Sequence, residues 1–165
     1  MGVTSREQGR VILDSPVLGR TVTRTLEYKI TSAPTGSEQD TGIDLPAKCV
    51  VRDVYLDVTA VEVTGATKTI HVGLLASESG GDADGFLAAV SCATTTGLKK
   101  GTLLSSGQTR GALLRVDESG AGVLVPEPHL SGSVTAKSIS FTAGSADWVE
   151  MRGSIYVTIE EIVTL

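Results

Sequence analysis

The run VRDVYLDVTA, residues 51–60, puts Val54, Leu56, Val58 and Ala60 on one side of an extended chain and Asp53, Tyr55, Asp57 and Thr59 on the other. Apolar side chains at every second position fit a strand with one face on a core and the other in water, and they do not fit a helix. The pattern recurs along the chain. In KTIHVGLLA the inward set is Ile70, Val72 and Leu74, and in the last segment Ile155, Val157 and Ile159 alternate with Tyr156, Thr158 and Glu160. GALLRVDE, AGVLVPEP and SVTAKSISFTA are further short runs bounded by Gly, Pro or Ser. Short strands spaced by about ten residues predict an all-β fold, namely a small antiparallel β-sandwich, a jelly-roll-like domain or a barrel.

Two local expectations follow from the same reading. Val61 and Val63 continue in the opposite phase, which predicts a bulge or a twist near Ala60, and TGAT then turns the chain back so that KTIHVGLLA closes a hairpin. Asp84 is placed to cap GFLAAVS, whose Phe86, Leu87 and Val90 share one side of a helix, so at most one short helix is expected.

The first 45 residues differ from the rest. They are polar, rich in Thr and Ser, and interrupted by Pro16, Pro34, Gly36 and Gly42. Within them TVTRTLEYKI sets Val22, Arg24, Leu26, Tyr28 and Ile30 against Thr23, Thr25, Glu27 and Lys29. Residues 1–45 are therefore expected to be an extended N-terminal arm carrying one strand, followed by a single β domain over 46–165. On this reading, deleting residues 1–42 leaves a folded domain. With 41% hydrophobic residues in 165, one core is the expectation.

Composition removes several function classes. Aromatic residues are 4% of the chain, too few to floor a sugar or single-strand nucleic-acid groove. The net charge is −5 and the basic residues are scattered apart from Lys99 and Lys100, so no nucleic-acid partner is expected. Neither a signal-peptide pattern nor an apolar run of membrane-spanning length occurs, and no membrane association is expected. Cys49 and Cys92 sit in apolar runs without a Cys or His at metal-ligand spacing, and they read as buried free thiols, with their pairing left open.

No motif supports catalysis. His71 lies on the polar side of a strand and His129 in a Pro-framed loop, neither beside an evident nucleophile. The chain has no G-x-S-x-G elbow and no nucleotide-binding glycine loop. ESGGDADGF, residues 78–86, offers Asp82, Asp84 and Gly85 to a calcium loop but no closing Glu, so it reads as a polar turn, with calcium as the alternative. We expect a non-enzymatic protein without cofactor or metal. Trp148, in GSADWVEMRG, reads as a core or sheet-edge plug or, alternatively, as an anchor in a subunit interface.

The stretch IDLPAKCVVRDVYLDVTAVEVTGATKTIHVGLL, then SGGDADGFLAAVS, GALL and TAKSISFTAGSADWVEMRGSIYVTI, resembles the head decoration, or capsid cement, proteins of tailed bacteriophages over about residues 42–163. The resemblance implies a structural virion protein, made in the host cytoplasm and carried on the outer capsid surface. It implies homotrimers at threefold or quasi-threefold positions that clamp neighbouring major capsid subunits. The arm would add a strand to a neighbour, with Leu26, Tyr28 and Ile30 as contact residues and Trp148 as a further interface residue. Tail tubes, tail completion rings and fibre bases use similar short-strand domains and are the alternatives, with a calcium- or glycan-binding β module after them.

Overall fold

The computed structural model describes residues 5–7, 10–12, 20–47, 49–101, 109–117, 124–126, 129–130 and 137–163. In chain order the strands are β1 (Ser5–Glu7), β2 (Arg10–Ile12), β3 (Arg20–Ile30), β4 (Gln39–Leu45), β5 (Val50–Ala60), β6 (Thr69–Leu74), β7 (Asp82–Ser91) and β8 (Gly97–Lys100). They continue with β9 (Arg115–Asp117), β10 (Leu124–Pro126), β11 (His129–Leu130), β12 (Lys137–Ala143) and β13 (Arg152–Val163). Two antiparallel sheets carry the fold. One has the order β11-β5-β13-β3, with β8 joining β5 beyond β11, and the other runs β4-β12-β6-β7. Strands β1 with β2, and β9 with β10, form two-stranded ribbons. No closed barrel forms among the described residues, and the sandwich is the member of the expected set that the chain adopts.

The alternation read from sequence explains why the sheets stack. Val51, Val54, Leu56 and Val58 of β5 and Ile155, Val157 and Ile159 of β13 are buried from one sheet, and Ile70, Val72 and Leu74 of β6 with Ile139 and Phe141 of β12 from the other. These side chains form one core, each contributing about 1.5–3 kcal/mol on full burial. The bulge expected near Ala60 is present: Arg152 pairs with Ala60 and Gly153 with Val58, leaving Thr59 as the extra residue.

Three expectations are corrected. β5 and β6 do not form a hairpin, because they belong to different sheets and residues 61–68 carry the chain across the end of the core. Both strands bury their apolar face in the same interior, which opposed sheets satisfy as well as a hairpin does. GFLAAVS is strand β7 and not a helix capped by Asp84. Val72 pairs with Leu87 and Ile70 with Val90, so β7 carries one residue more than β6 between these pairs, and Ala89 sits there at φ 54°. That bulge turns a period-2 pattern into the spacing Phe86, Leu87, Val90, which imitates a helix face. The helical content described is a single 3-10 turn at Ala112–Leu114.

The third correction concerns residues 20–45. β3 pairs with β13 along all of its length, and β4 pairs with β12. The expected boundary at residue 45 thus cuts through both sheets, and this stretch supplies two strands of the sandwich.

The crossover end of the core is held by Glu62, which is fully buried. Its Oε2 accepts hydrogen bonds from the backbone N–H groups of Val149, Glu150 and Met151 at 3.1, 3.0 and 3.1 Å. Its Oε1 accepts from Thr64 N at 3.1 Å and Thr64 Oγ1 at 2.5 Å. Burial by itself would raise the carboxyl pKa, but these donors outweigh it and hold the group at about 2. Beside it Gly65 takes φ +75°, and a Cβ there would lie 2.9 Å from Trp148 Cδ1. The indole closes this end of the sandwich, with Nε1 donating to Thr67 O at 2.9 Å.

Candidate interaction surface

The outer face of the β3-containing sheet is built from residues that alternate with the core set. Register places Lys100 of β8 opposite Tyr55 of β5, Tyr55 opposite Tyr156 of β13, and Tyr156 opposite Glu27 of β3. One continuous row therefore crosses four strands. Each neighbour in it interacts: Lys100 Nζ lies 5.4 Å from the Tyr55 ring centroid, the two tyrosine rings stack at 5.0 Å and 20°, and Tyr156 Oη lies 3.1 Å from Glu27 Oε1. Lys100 also pairs with Asp53 at 2.9 Å. In the adjacent row Leu98 stands opposite Asp57 and is 59% exposed, a large apolar side chain beside the tyrosine pair.

Charged groups frame this centre. Arg52 pairs with Glu160 at 2.6 Å, and the guanidinium holds that carboxyl below its ordinary range. Exposed ion pairs of this kind contribute little to stability. A half-buried tyrosine pair beside an exposed leucine, with a charged rim, is the composition found in protein interfaces. The tyrosine pair could not be found from sequence, where each tyrosine appears only as one alternating position on a polar face. Their contact depends on the register of strands far apart in the chain.

The opposite sheet presents a different surface. Ser138 and Ser140 of β12 point outward yet are buried, because carboxylates cover them: Ser140 Oγ donates to Glu38 at 2.6 Å, and Ser138 Oγ lies 2.7 and 3.1 Å from Asp40 and Asp44. Glu78 accepts from Ser138 N at 3.0 Å, and the buried Lys137 donates to Ser79 O. This face is acidic and tied down.

The four residues expected to contact a partner are placed as follows. Ile30 and Trp148 are 3% and 5% exposed, within the core. Leu26 and Tyr28 are half-buried against it, with the Tyr28 ring 5.4 Å from Phe141 across the sandwich. All three β3 residues lie on the inner side of that strand, packed in or against the core. The exposed side chains over residues 21–30 of β3 are Thr21, Thr23, Arg24, Thr25, Glu27 and Lys29.

The polar residues singled out for chemistry lie apart from this surface. Asp82 and Asp84 are adjacent on β7, and burial together with the Asp84 carboxyl pushes Asp82 up. His71 Nδ1 accepts from Ala89 N at 3.3 Å, and Asp84 lies 3.9 Å from that nitrogen. Among the described residues no three His, Cys, Asp or Glu side chains cluster as a cation site would require. Cys49 and Cys92 are buried free thiols, and burial raises both, Cys92 to about 12, which keeps them protonated and unreactive at neutral pH. The His129 side chain lies outside the described residues.

No protein-family model matches the chain. No curated protein matches it. Among solved structures, a chain of the cyanophage Pam1 capsid asymmetric unit is similar to it with a TM-score of 0.50 and 17% identity, over 97% of this chain and 99% of that one. At this identity the likeness shows a shared fold.

Proposed function

We propose that this chain is a structural component of a phage virion, associated with the capsid. The observation that carries the reading is the likeness to a chain of a phage capsid asymmetric unit that spans nearly all of both chains. A match of that extent aligns the two chains over nearly all of their length and not over a shared subdomain alone. The sequence resemblance to head decoration proteins supports the same reading from residues 42–163.

Within that role we place the protein on the outer capsid surface, three copies around a threefold or quasi-threefold position, clamping neighbouring major capsid subunits. The tyrosine-centred face of the β3 sheet is the surface that suits the contact. It is rimmed by both charge signs and centred on Tyr55, Tyr156 and Leu98. A single such face is modest in area, and three engaged at once gain affinity through their linkage. The capsid then gains stability as seats fill.

The test uses the full chain and capsids assembled from the major capsid protein of the same phage without it. Saturable co-sedimentation is expected, with a rise in the temperature of capsid disassembly. Substituting both tyrosines, Tyr55→Ser with Tyr156→Ser, should weaken binding about tenfold or more while cooperative unfolding is retained. Absence of wild-type co-sedimentation refutes the capsid reading, and full binding by the double variant moves the contact to another face.

A further inference from the structure

The open edges of the two sheets are not alike. β7 is interrupted twice in its pairing with β6, and its outer side is met by residues 109–111, with Ala88 N donating to Thr109 O and Gly111 N to Phe86 O, both at 2.8 Å. β4 is seven residues long, has Gly42 at φ +68°, and shifts register against β12 between Ser138 and Ser140. Among the described residues the far side of β5 carries only the short β8 and β11, of four and two residues. Bulges and short strands are the usual means by which a sheet edge is kept from pairing with another chain.

β3 has none of these. It is eleven residues long, contains neither proline nor glycine, and pairs with β13 through eleven consecutive residues without a register shift. Among the described residues no strand lies on its other side. Three edges are broken or covered, and among the described residues the longest has no strand paired along its outer row of main-chain donors and acceptors.

We propose that this edge pairs antiparallel with β3 of a second copy, about a two-fold axis through Thr25. The sequence of β3 is self-complementary in that arrangement. All eleven residues overlap, giving about ten main-chain hydrogen bonds. On the outer face Thr25 meets Thr25 of the second copy, Thr23 meets Glu27, and Thr21 meets Lys29. On the inner face Val22 meets Tyr28 and Arg24 meets Leu26, so the half-buried Val22 and Leu26 gain cover. No like charges are opposed, and cross-strand threonine pairs are favourable. A parallel in-register pairing would set Arg24, Glu27 and Lys29 each against its own copy. The charge pattern therefore selects the antiparallel dyad.

On an icosahedral shell two-fold axes relate neighbouring threefold seats, so this contact would link one seat to the next. It forms without a capsid and is tested without one, so its failure and that of the capsid reading are read separately.

The experiment is sedimentation equilibrium on the full chain and on Thr25→Lys and Thr25→Glu variants. Thr25 is exposed, and its hydroxyl meets only Thr158 Oγ1 at 3.3 Å among the bonds described, so both variants should keep the wild-type thermal transition. The wild type is expected at twice the 17.0 kDa chain mass or an even multiple of it. Each charged variant sets like charges face to face across the dyad and should weaken association about tenfold or more. An equimolar mixture of the two should associate as the wild type does, because lysine then meets glutamate. A wild-type mass at one copy or an odd multiple at every soluble concentration overturns the proposal. So do charged variants that associate unchanged, or a mixture that fails to restore association.

Discussion

Replacing Glu62 with glutamine should lower the unfolding free energy by about 3 kcal/mol or more, a fall of roughly 6–12 °C in Tm for a chain of this size. The carboxylate serves two sets of donors at once, three consecutive backbone N–H groups on one oxygen and both donors of Thr64 on the other. An amide has one acceptor oxygen. Whichever set it keeps, its NH2 group faces at least one backbone N–H of the other set donor to donor, because the Thr64 hydroxyl can turn to accept but the Thr64 N–H cannot. The pH dependence gives the substitution a second signature. Glu62 is held at about 2, below its ordinary 4.5, so its stabilising effect is complete above about pH 4.5 and is lost as pH falls towards 2. The difference in stability between wild type and variant should shrink across that window, measured by urea denaturation at several pH values. A difference that stays constant between pH 4.5 and 2 would show that the charge is not what holds the loop.

Glu62 also marks where sequence reading stops. In VEVTGAT it is an ordinary polar position between two valines, and its burial is created by a backbone segment 149–151 that lies near it only in the folded chain. The same division runs through the molecule. The inward sets of β5, β6 and β13 were legible because alternation is a local property of an extended chain with one buried side. β7 was misread because the bulge at Ala89 gives its apolar residues a helical spacing, and the sequence offers no separate sign of the bulge. Sheet membership was not legible either: a strand that buries Val54, Leu56 and Val58 looks the same whether its neighbour in sequence lies beside it or across the core. The tyrosine pair fails for the same reason, since each residue was assigned to the correct face while their meeting depends on register between distant strands.

Removing residues 1–30 should abolish cooperative folding, whereas removing residues 1–19 should leave it in place. The polar composition of the first 45 residues suggested a dispensable arm, but composition does not register pairing. β3 fills one side of β13 along eleven residues, so its loss strips main-chain partners from a strand that runs through the middle of its sheet. It also removes Ile30 from the core and Leu26 and Tyr28 from its margin, opening Phe141 to water. Full burial of a side chain such as Ile30 contributes about 1.5–3 kcal/mol and the half-buried Leu26 and Tyr28 add a part of that each, a sizeable share of the roughly 5–15 kcal/mol by which a whole domain is stable. β1 and β2, by contrast, pair with one another. The measurement is thermal unfolding followed by circular dichroism on the 20–165 and 31–165 chains. A sharp transition near that of the full chain is expected for the first, and a broad or absent one for the second. A sharp transition for the 31–165 chain would mean that the core closes without β3, and would return that strand to the role of an arm.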